Sequence, residues 1–147
     1  MSVSNLGHTS QKIFEDYWET LGKNAFLHRV TDQAEVNGRS DARVRARVKA
    51  QPSDYLLTWN GEMCYAEVKS CSSKTSFPFS QIEAGQWVAA KKQVTAGGNY
   101  YFFIHALFIG RWFMVPAQAI LDHKERSMKW SKMEEYRFWV LEIEEVA

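Results

Sequence analysis

The feature that most constrains the fold is the dipeptide Asn60-Gly61, which separates two strand-like runs at residues 54–59 and 62–69. An Asn-Gly pair in this setting is the strongest short-range signal for a two-residue type I′ hairpin turn. Such a turn pairs Trp59 with Glu62, and every earlier pair follows, because side chains alternate along a strand with a period of two. The sequence therefore predicts an antiparallel hairpin together with its register.

The predicted register brings two acids and a lysine together. Counting back from the turn, Asp54 faces Glu67, and side chains directly opposite each other have Cβ atoms about 5 Å apart. Lys69 lies on the same face, two residues beyond Glu67. Like charges at opposite positions destabilise a strand pair, so the two carboxylates favour a bound cation such as Mg²⁺. With Lys69 to orient water or stabilise charge on a phosphate, the pattern predicts metal-assisted hydrolysis of a phosphodiester.

An ordinary exposed hairpin accounts for the same three residues without any chemistry. A β-bulge between Asp54 and Glu67 would also turn one acid to the other face of the hairpin. Both alternatives stay open on the register alone.

The remaining periodicities predict an α/β fold in which a mixed β-sheet is flanked by helices. Residues 9–21 have the apolar spacing of an amphipathic helix, and a capping box at residues 80–83 opens a second helix that runs to about Thr95. Further strands are expected at residues 25–30, 100–107 and 111–115, with a short helix after Pro116. The tail, residues 134–147, is expected to be a late strand or an ordered tail. We expect one domain over residues 1–147.

Charge alone does not indicate a partner, because 18 Lys and Arg residues against 17 Asp and Glu residues give a net charge of +1. A local basic segment does stand out at residues 39–49. Its cations alternate along the chain, and they are Arg39, Arg43, Arg45, Arg47 and Lys49. This pattern fits contacts with DNA phosphates, and it equally fits a charged, solvated edge strand.

The first residues of the chain have neither the basic nor the apolar segment of a secretory signal, so we expect a cytosolic protein. The longest uncharged stretch, residues 93–110, is too polar for a membrane helix, and no membrane partner is expected. Cys64 and Cys71 lack the spacing of a zinc site or disulfide framework, and they are expected to be reduced thiols.

Several motifs resemble those of the PD-(D/E)xK nucleases and, among them, of the RecU-type Holliday junction resolvases. Pro52-Ser53-Asp54 followed by Glu67-Val68-Lys69 has the form of the nuclease signature. The resemblance to the resolvases covers residues 52–135 and rests on Lys74-Thr75-Ser76-Phe77-Pro78, Gln86, Gly97-Gly98, the aromatic strand from Tyr100, and Arg126-Ser127-Met128-Lys129 before Glu134-Glu135.

This resemblance implies a restriction-endonuclease-like core with the element order α-β-β-β-α-β. It also implies a homodimer that cuts four-way DNA junctions symmetrically with Mg²⁺, for which Mn²⁺ is an alternative. Carried over to this chain, it makes Asp54 and Glu67 metal ligands and Lys69 the catalytic lysine. The basic segment at residues 39–49 corresponds to the family's protrusion into the junction, and it is shorter here.

The chain departs from the family pattern at two places. The acid that the family has early in its first helix is either replaced by Gln11 or supplied by Glu15, and both stay candidates. The histidines that precede the family's second-helix glutamine are replaced by Glu83-Ala84-Gly85. Gln86 itself lies on the inward stripe of the predicted helix, where a buried amide needs partners. We favour an active-site role for Gln86 over a simple hydrogen bond in the core.

The loop residues Lys74, Thr75 and Ser76 are rich in donors and suit a DNA backbone phosphate, although an ordinary loop has a similar composition. Two other functions stay open. One is a related nuclease that cuts duplex DNA or other DNA structures, because one fold hosts several specificities. The other is a junction-binding protein without catalysis, whose binding would need neither Mg²⁺ nor Glu67.

Overall fold

The computed structural model describes residues 3–30 and 51–146, and it describes side chains within residues 7–30 and 51–142. The basic segment at residues 39–49 lies outside the described residues. The contacts with DNA expected of Arg39, Arg43, Arg45, Arg47 and Lys49 therefore stay a prediction, as does the extent of the domain.

A five-stranded mixed sheet with helices on both faces forms the described part of the chain, which confirms the predicted α/β class. In chain order the elements are α1 (Val3–Thr20), β1 (Ala25–Arg29), β2 (Tyr55–Trp59), β3 (Glu62–Cys71), β4 (Ser76–Pro78), α2 (Ala84–Thr95), β5 (Asn99–Ala106), β6 (Arg111–Pro116), α3 (Ala117–Leu121), β7 (Ser127–Lys129) and α4 (Trp130–Met133). The strand order in the sheet is β1-β2-β3-β5-β6, and a separate ribbon pairs β4 with β7.

The β2–β3 hairpin has the predicted register, with Trp59 opposite Glu62 and Tyr55 opposite Ala66. The turn residues Asn60 and Gly61 have φ angles of 56° and 80°, and a type I′ turn needs positive φ at both positions. The pairing is continuous from the turn to Tyr55, so no bulge shifts the acids. Asp54 lies immediately before β2.

The sheet buries one apolar face against α1 and the other against α2 and α3. On the α1 face, Phe14 and Trp18 are fully buried, and the Phe14 ring meets the Phe103 ring with centroids 4.8 Å apart. On the opposite face, Phe102 and Ile104 belong to a second cluster of buried residues. β3 and β5 run parallel, and α2 connects them. β3 is the central strand, but its residues 67–71 extend beyond the end of β2 and pair with β5 alone among the described strands.

The second helix begins at Ala84, so the prediction that it opens with a capping box at Ser80 was wrong. Residues Phe79–Gln81 form a separate 3₁₀ turn. Ile82 then adopts an extended backbone (φ −87°, ψ 121°) and its side chain is buried. The helix cannot pass through an extended residue, so it starts one step later with Glu83 as its N-cap.

Within the described residues 134–146 the tail contains no late strand, so the alternative expectation of an ordered tail applies there. The tail forms 3₁₀ helices at Glu134–Tyr136 and Trp139–Val146. Arg137 lies between them and forms ion pairs with Glu134 at 2.9 Å and with Glu142 at 2.6 Å. These ion pairs connect residues close in sequence and thereby favour a coiled segment over an extended one.

Cys64 and Cys71 are both buried free thiols, as predicted. Within residues 3–30 and 51–146, no helix has the length and apolarity needed to cross a membrane.

Candidate active site

Asp54 and Glu67 meet at the start of the β2–β3 hairpin. The backbone N–H of Asp54 donates a 2.9 Å hydrogen bond to Oε2 of Glu67. In return, the backbone N–H of Val68 donates to Oδ2 of Asp54 at 3.4 Å. The two acids are thus held side by side by the hairpin, as the register predicts.

The buried position of Glu67 determines its electrostatics. Its exposed fraction is 2%, and burial in a medium of low polarity raises the pKa of its carboxyl to about 8, with a further upward contribution from the charge of Asp54. Lys69 opposes this shift, because its Nζ lies 3.8 Å from Oε1 of Glu67. One lysine does not offset both effects, so the ionised carboxylate needs a second positive charge.

Gln86 connects the second helix to this carboxylate. Its Nε2 donates a 2.7 Å hydrogen bond to Oε1 of Glu67, and its Oε1 accepts a 3.0 Å hydrogen bond from the backbone N–H of Glu83. The late start of α2 at Ala84 puts Gln86 in the first helical turn, where its side chain can make both bonds. Gln86 therefore contacts the acid pair instead of serving only the core.

A cavity lies over these side chains, and the two acids, Lys69 and Gln86 line it. The other residues that line it come from α1, the end of β1, the segment before β2, β3 and the start of α2, and they are Gln11, Val30, Gln51, Ser53, Val68 and Glu83. The hydroxyl of Tyr100 donates to the carbonyl of Pro52 at 2.6 Å, which anchors the segment that leads to Asp54.

The donor set fits a hard divalent cation. Mg²⁺ binds proteins through one or two carboxylates and keeps several waters, so two adjacent acids suffice for it. Among the described residues, no group of three or more His, Cys, Asp and Glu side chains lies close enough together to hold a metal ion of any kind, so a cation here would depend on these two acids and on water. The carboxyl groups of Asp54 and Glu67 suit Mg²⁺ or Mn²⁺, and a cation bound there would stabilise the ionised form of the buried Glu67.

The structure separates the two candidates on α1. Gln11 lines the cavity of the acids. Glu15 lines a neighbouring cavity between α1 and β1, and its Oε2 accepts a 2.6 Å hydrogen bond from the hydroxyl of Tyr55. Glu15 is therefore not brought together with Asp54 and Glu67. A catalytic role for Glu15 stays a prediction without support from this arrangement.

The predicted phosphate-binding loop follows β3 at the same end of the sheet. Lys74 and Thr75 are exposed, while Ser76 is half-buried in β4. The carbonyl of Thr75 accepts a 3.0 Å hydrogen bond from the backbone N–H of Trp130, which ties this loop to the small ribbon. Their contact with DNA stays a prediction.

Sequence reasoning missed a buried polar network beside Lys69. Ser10 Oγ lies 2.9 Å from Nδ1 of His105, and the hydroxyl of Ser70 donates to Ser10 at 2.5 Å. Ser10 and His105 are both buried, and the His105 ring stacks on Trp112. The sequence does contain one signal for this network, because Ser10 lies one helical turn before Phe14, on the apolar stripe of α1. The network joins α1 to β3 and β5, next to Gln11 and Lys69.

Comparisons with known proteins identify the family and support the fold. Residues 19–145 match the family described as recombination protein U, RecU. A solved structure of Hjc from Archaeoglobus fulgidus, a Holliday junction resolvase from an archaeal hyperthermophile, superposes with a TM-score of 0.55. The two chains are 12% identical, and the similarity covers 95% of this chain and 99% of that one, which shows a shared fold. No curated protein matches the sequence significantly.

Proposed function

Because the chain belongs to the RecU family of Holliday junction resolvases, we propose that it cuts four-way DNA junctions symmetrically, as a homodimer, in a reaction that needs Mg²⁺ or Mn²⁺. The observation that carries the proposal is the convergence of Asp54, Glu67, Lys69 and Gln86 in one cavity. A sheet that merely needed stability would not bury one carboxylate against another.

The acids hold the metal in this proposal. Asp54 and Glu67 are its ligands, and a metal bound there supplies a Lewis acid for the scissile phosphate and a more acidic water. Gln86 fixes Oε1 of Glu67 through its 2.7 Å hydrogen bond, which leaves the carboxylate one orientation in which to bind.

Lys69 acts on the reacting groups directly. Its Nζ lies 3.8 Å from Glu67 and its side chain is 13% exposed, so a phosphate oxygen can reach it from the cavity. The ammonium donates hydrogen bonds to the attacking water and to the non-bridging oxygens, on which charge builds as water attacks phosphorus. One phosphorus–oxygen bond forms to the water, which releases a proton to solvent, while the bond to the leaving sugar oxygen breaks and that oxygen takes up a proton from solvent.

Two copies of the site are needed because resolution requires a pair of symmetric cuts. A closed dimer with twofold symmetry presents two equivalent sites to a four-way junction whose arms are related by a pseudo-twofold axis. The basic segment at residues 39–49 would add phosphate contacts and a salt-dependent affinity.

Cleavage of an end-labelled, immobile four-way junction and of a matched linear duplex, each with Mg²⁺ or EDTA, tests this function. The wild type should make paired, symmetric nicks in the junction alone, and both EDTA and Glu67→Ala should abolish them. Cutting of both substrates would instead assign a general nuclease. Tight junction binding without cutting in Mg²⁺ or Mn²⁺ would refute catalysis.

A further inference from the structure

The turn that joins β5 to β6 carries an exposed aromatic ring at the active-site end of the sheet. Phe108 is 60% exposed, although every residue of β5 from Phe102 to Ala106 is buried. The turn is held against β3, because the backbone N–H of Leu107 donates a 2.9 Å hydrogen bond to the carbonyl of Cys71. The ring therefore has a fixed base but contributes little to the core.

The position of this turn relative to the acids follows from strand geometry. Cys71 lies four residues beyond Glu67 on β3, which is about 13 Å at the rise of a β-strand. Successive bases in a DNA strand rise about 3.4 Å. The turn that carries Phe108 is held beside Cys71, so it lies a strand length of about 13 Å from Glu67, which corresponds to about four nucleotides of a DNA strand.

Lys74 supplies a cation at the same place. Its Nζ lies 5.4 Å from the centroid of the Phe108 ring, and Lys74 has no ion pair within the part of the chain that the structure describes. An uncompensated ammonium beside an exposed ring suits a nucleotide, because the ammonium attracts the phosphate while the ring stacks on the base.

A second exposed aromatic residue, Trp139, also lies beside a cation, but that cation is already paired with acids. Trp139 is 61% exposed and lies against Arg137, whose guanidinium carbon is 3.4 Å from the centroid of a Trp139 ring. However, Arg137 is neutralised by its ion pairs with Glu134 and Glu142. The two rings match in exposure and in having a cation nearby, but only the cation beside Phe108 is left to attract a phosphate.

We propose that Phe108 stacks on an unpaired base of the DNA near the scissile phosphate, with Lys74 binding the adjoining phosphate. This proposal rests on the proposed function, and it makes Phe108 a residue that recognises the branched structure. A fully paired duplex offers no free base face, so stacking favours the branch point, where bases can unstack.

Binding of the four-way junction and of a matched duplex in Ca²⁺ tests the proposal with Phe108→Ala, Phe108→Leu, Phe108→Trp and the control Trp139→Ala. Stacking on a base is worth about 1–3 kcal/mol, so Phe108→Ala and Phe108→Leu should weaken junction binding about tenfold or more and leave duplex binding within about twofold. Phe108→Trp keeps an aromatic face and should bind like the wild type, as should Trp139→Ala. 5-Iodouracil placed near the branch point should cross-link to Phe108 under ultraviolet light.

Several outcomes would overturn the assignment. The stacking proposal is refuted if Phe108→Ala binds the junction as tightly as the wild type does. It is also refuted if the variant loses the same affinity for the junction and for the duplex. Dissociation of the dimer in Phe108→Ala, measured by sedimentation, would assign the ring to a protein contact. Cleavage by the wild type in Mg²⁺ distinguishes a failure of the stacking proposal from a failure of the proposed function. If the wild type cuts junctions and Phe108→Ala binds them as tightly as the wild type does, only the stacking is refuted. A wild type that ignores junctions refutes the proposed function itself.

Discussion

The amide nitrogen of Gln86 donates a 2.7 Å hydrogen bond to Oε1 of Glu67, and this bond links the first turn of α2 to the buried acid of the hairpin. The same amide group accepts from the backbone N–H of Glu83 through its oxygen. The two bonds together fix which end of the amide faces the carboxylate. Gln86 is thereby set to hold Glu67 in a defined orientation.

Gln86→Ala should reduce metal affinity and junction cleavage by about 10- to 100-fold, which is the usual loss when a residue that orients a metal ligand is removed. Gln118→Ala is the matched control, since Gln118 makes an exposed hydrogen bond to Asp122 far from the acids in sequence. Cleavage rates measured over a Mg²⁺ titration separate lost affinity from lost rate. Equal activity of both variants would show that Gln86 only caps the helix.

The pKa of Glu67, raised to about 8, predicts how stability depends on pH in the absence of metal. Between the ordinary glutamate pKa and pH 8, the unfolded chain has released the proton that the folded protein keeps. The contribution of Glu67 to the free energy of unfolding should therefore be fully present below the ordinary glutamate pKa and fall as the pH rises through this window, by at most about 1.4 kcal/mol per pH unit.

Urea unfolding in EDTA at pH 5 and at pH 8 checks this, with Glu67→Gln as the comparison. Glu67→Gln has no carboxyl group to ionise at this position. Its free energy of unfolding relative to that of the wild type should therefore be more favourable at pH 8 than at pH 5. Mg²⁺ should stabilise the wild type at pH 8, because it binds the ionised carboxylate. A pH-independent difference between the two proteins would contradict the buried, protonated state of Glu67.

His105 should have the opposite effect on acid stability. Burial lowers the pKa of its imidazole to about 4, so the folded protein resists protonation that the unfolded chain accepts below about pH 6.5. The stability that the neutral ring provides is present above this pH and is lost as the pH falls toward 4. In His105→Gln, thermal melts should show a lower baseline stability but a smaller loss from pH 7 to pH 4.5. A parallel loss in both proteins would argue against this role.

The hairpin turn should tolerate no side chain at its second position. Gly61 has a φ of 80°, a conformation that costs L-residues about 1 kcal/mol or more. Gly61→Ala should therefore lower the free energy of unfolding by about that amount. Gly7→Ala, in the interior of α1 with open space around the added methyl group, should raise it by about 0.5–1 kcal/mol. Chemical denaturation measures both, and a neutral Gly61→Ala would contradict the I′ turn.

The hairpin could be predicted from sequence because its determinants are local. Asn60 and Gly61 set the turn, the turn sets the register, and the register puts Asp54 beside Glu67. No distant contact enters this chain of reasoning. Because the determinants are local, the motif resemblance and the hairpin register independently select the same two acids as candidate metal ligands.

The other site residues depend on contacts that the sequence does not display. The rotation of α1 about its axis is set by the burial of Phe14 and Trp18 and by the contact of Ser10 with His105, and this rotation aims Gln11 at the acids and Glu15 at Tyr55. A helical wheel alone left both candidates open. The start of α2 was missed because a 3₁₀ turn ends at Gln81 and the burial of Ile82 then holds that residue extended.

Isothermal titration calorimetry with Mn²⁺ at pH 8 tests most directly that Asp54 and Glu67 form one metal site. Asp54→Asn and Glu67→Gln are compared with the wild type, and Asp16→Asn, an exposed acid of α1 paired with Lys12, is the control. The account predicts binding by the wild type and by Asp16→Asn, and at least tenfold weaker binding by each of the other variants. Undiminished binding by Asp54→Asn or by Glu67→Gln would contradict it.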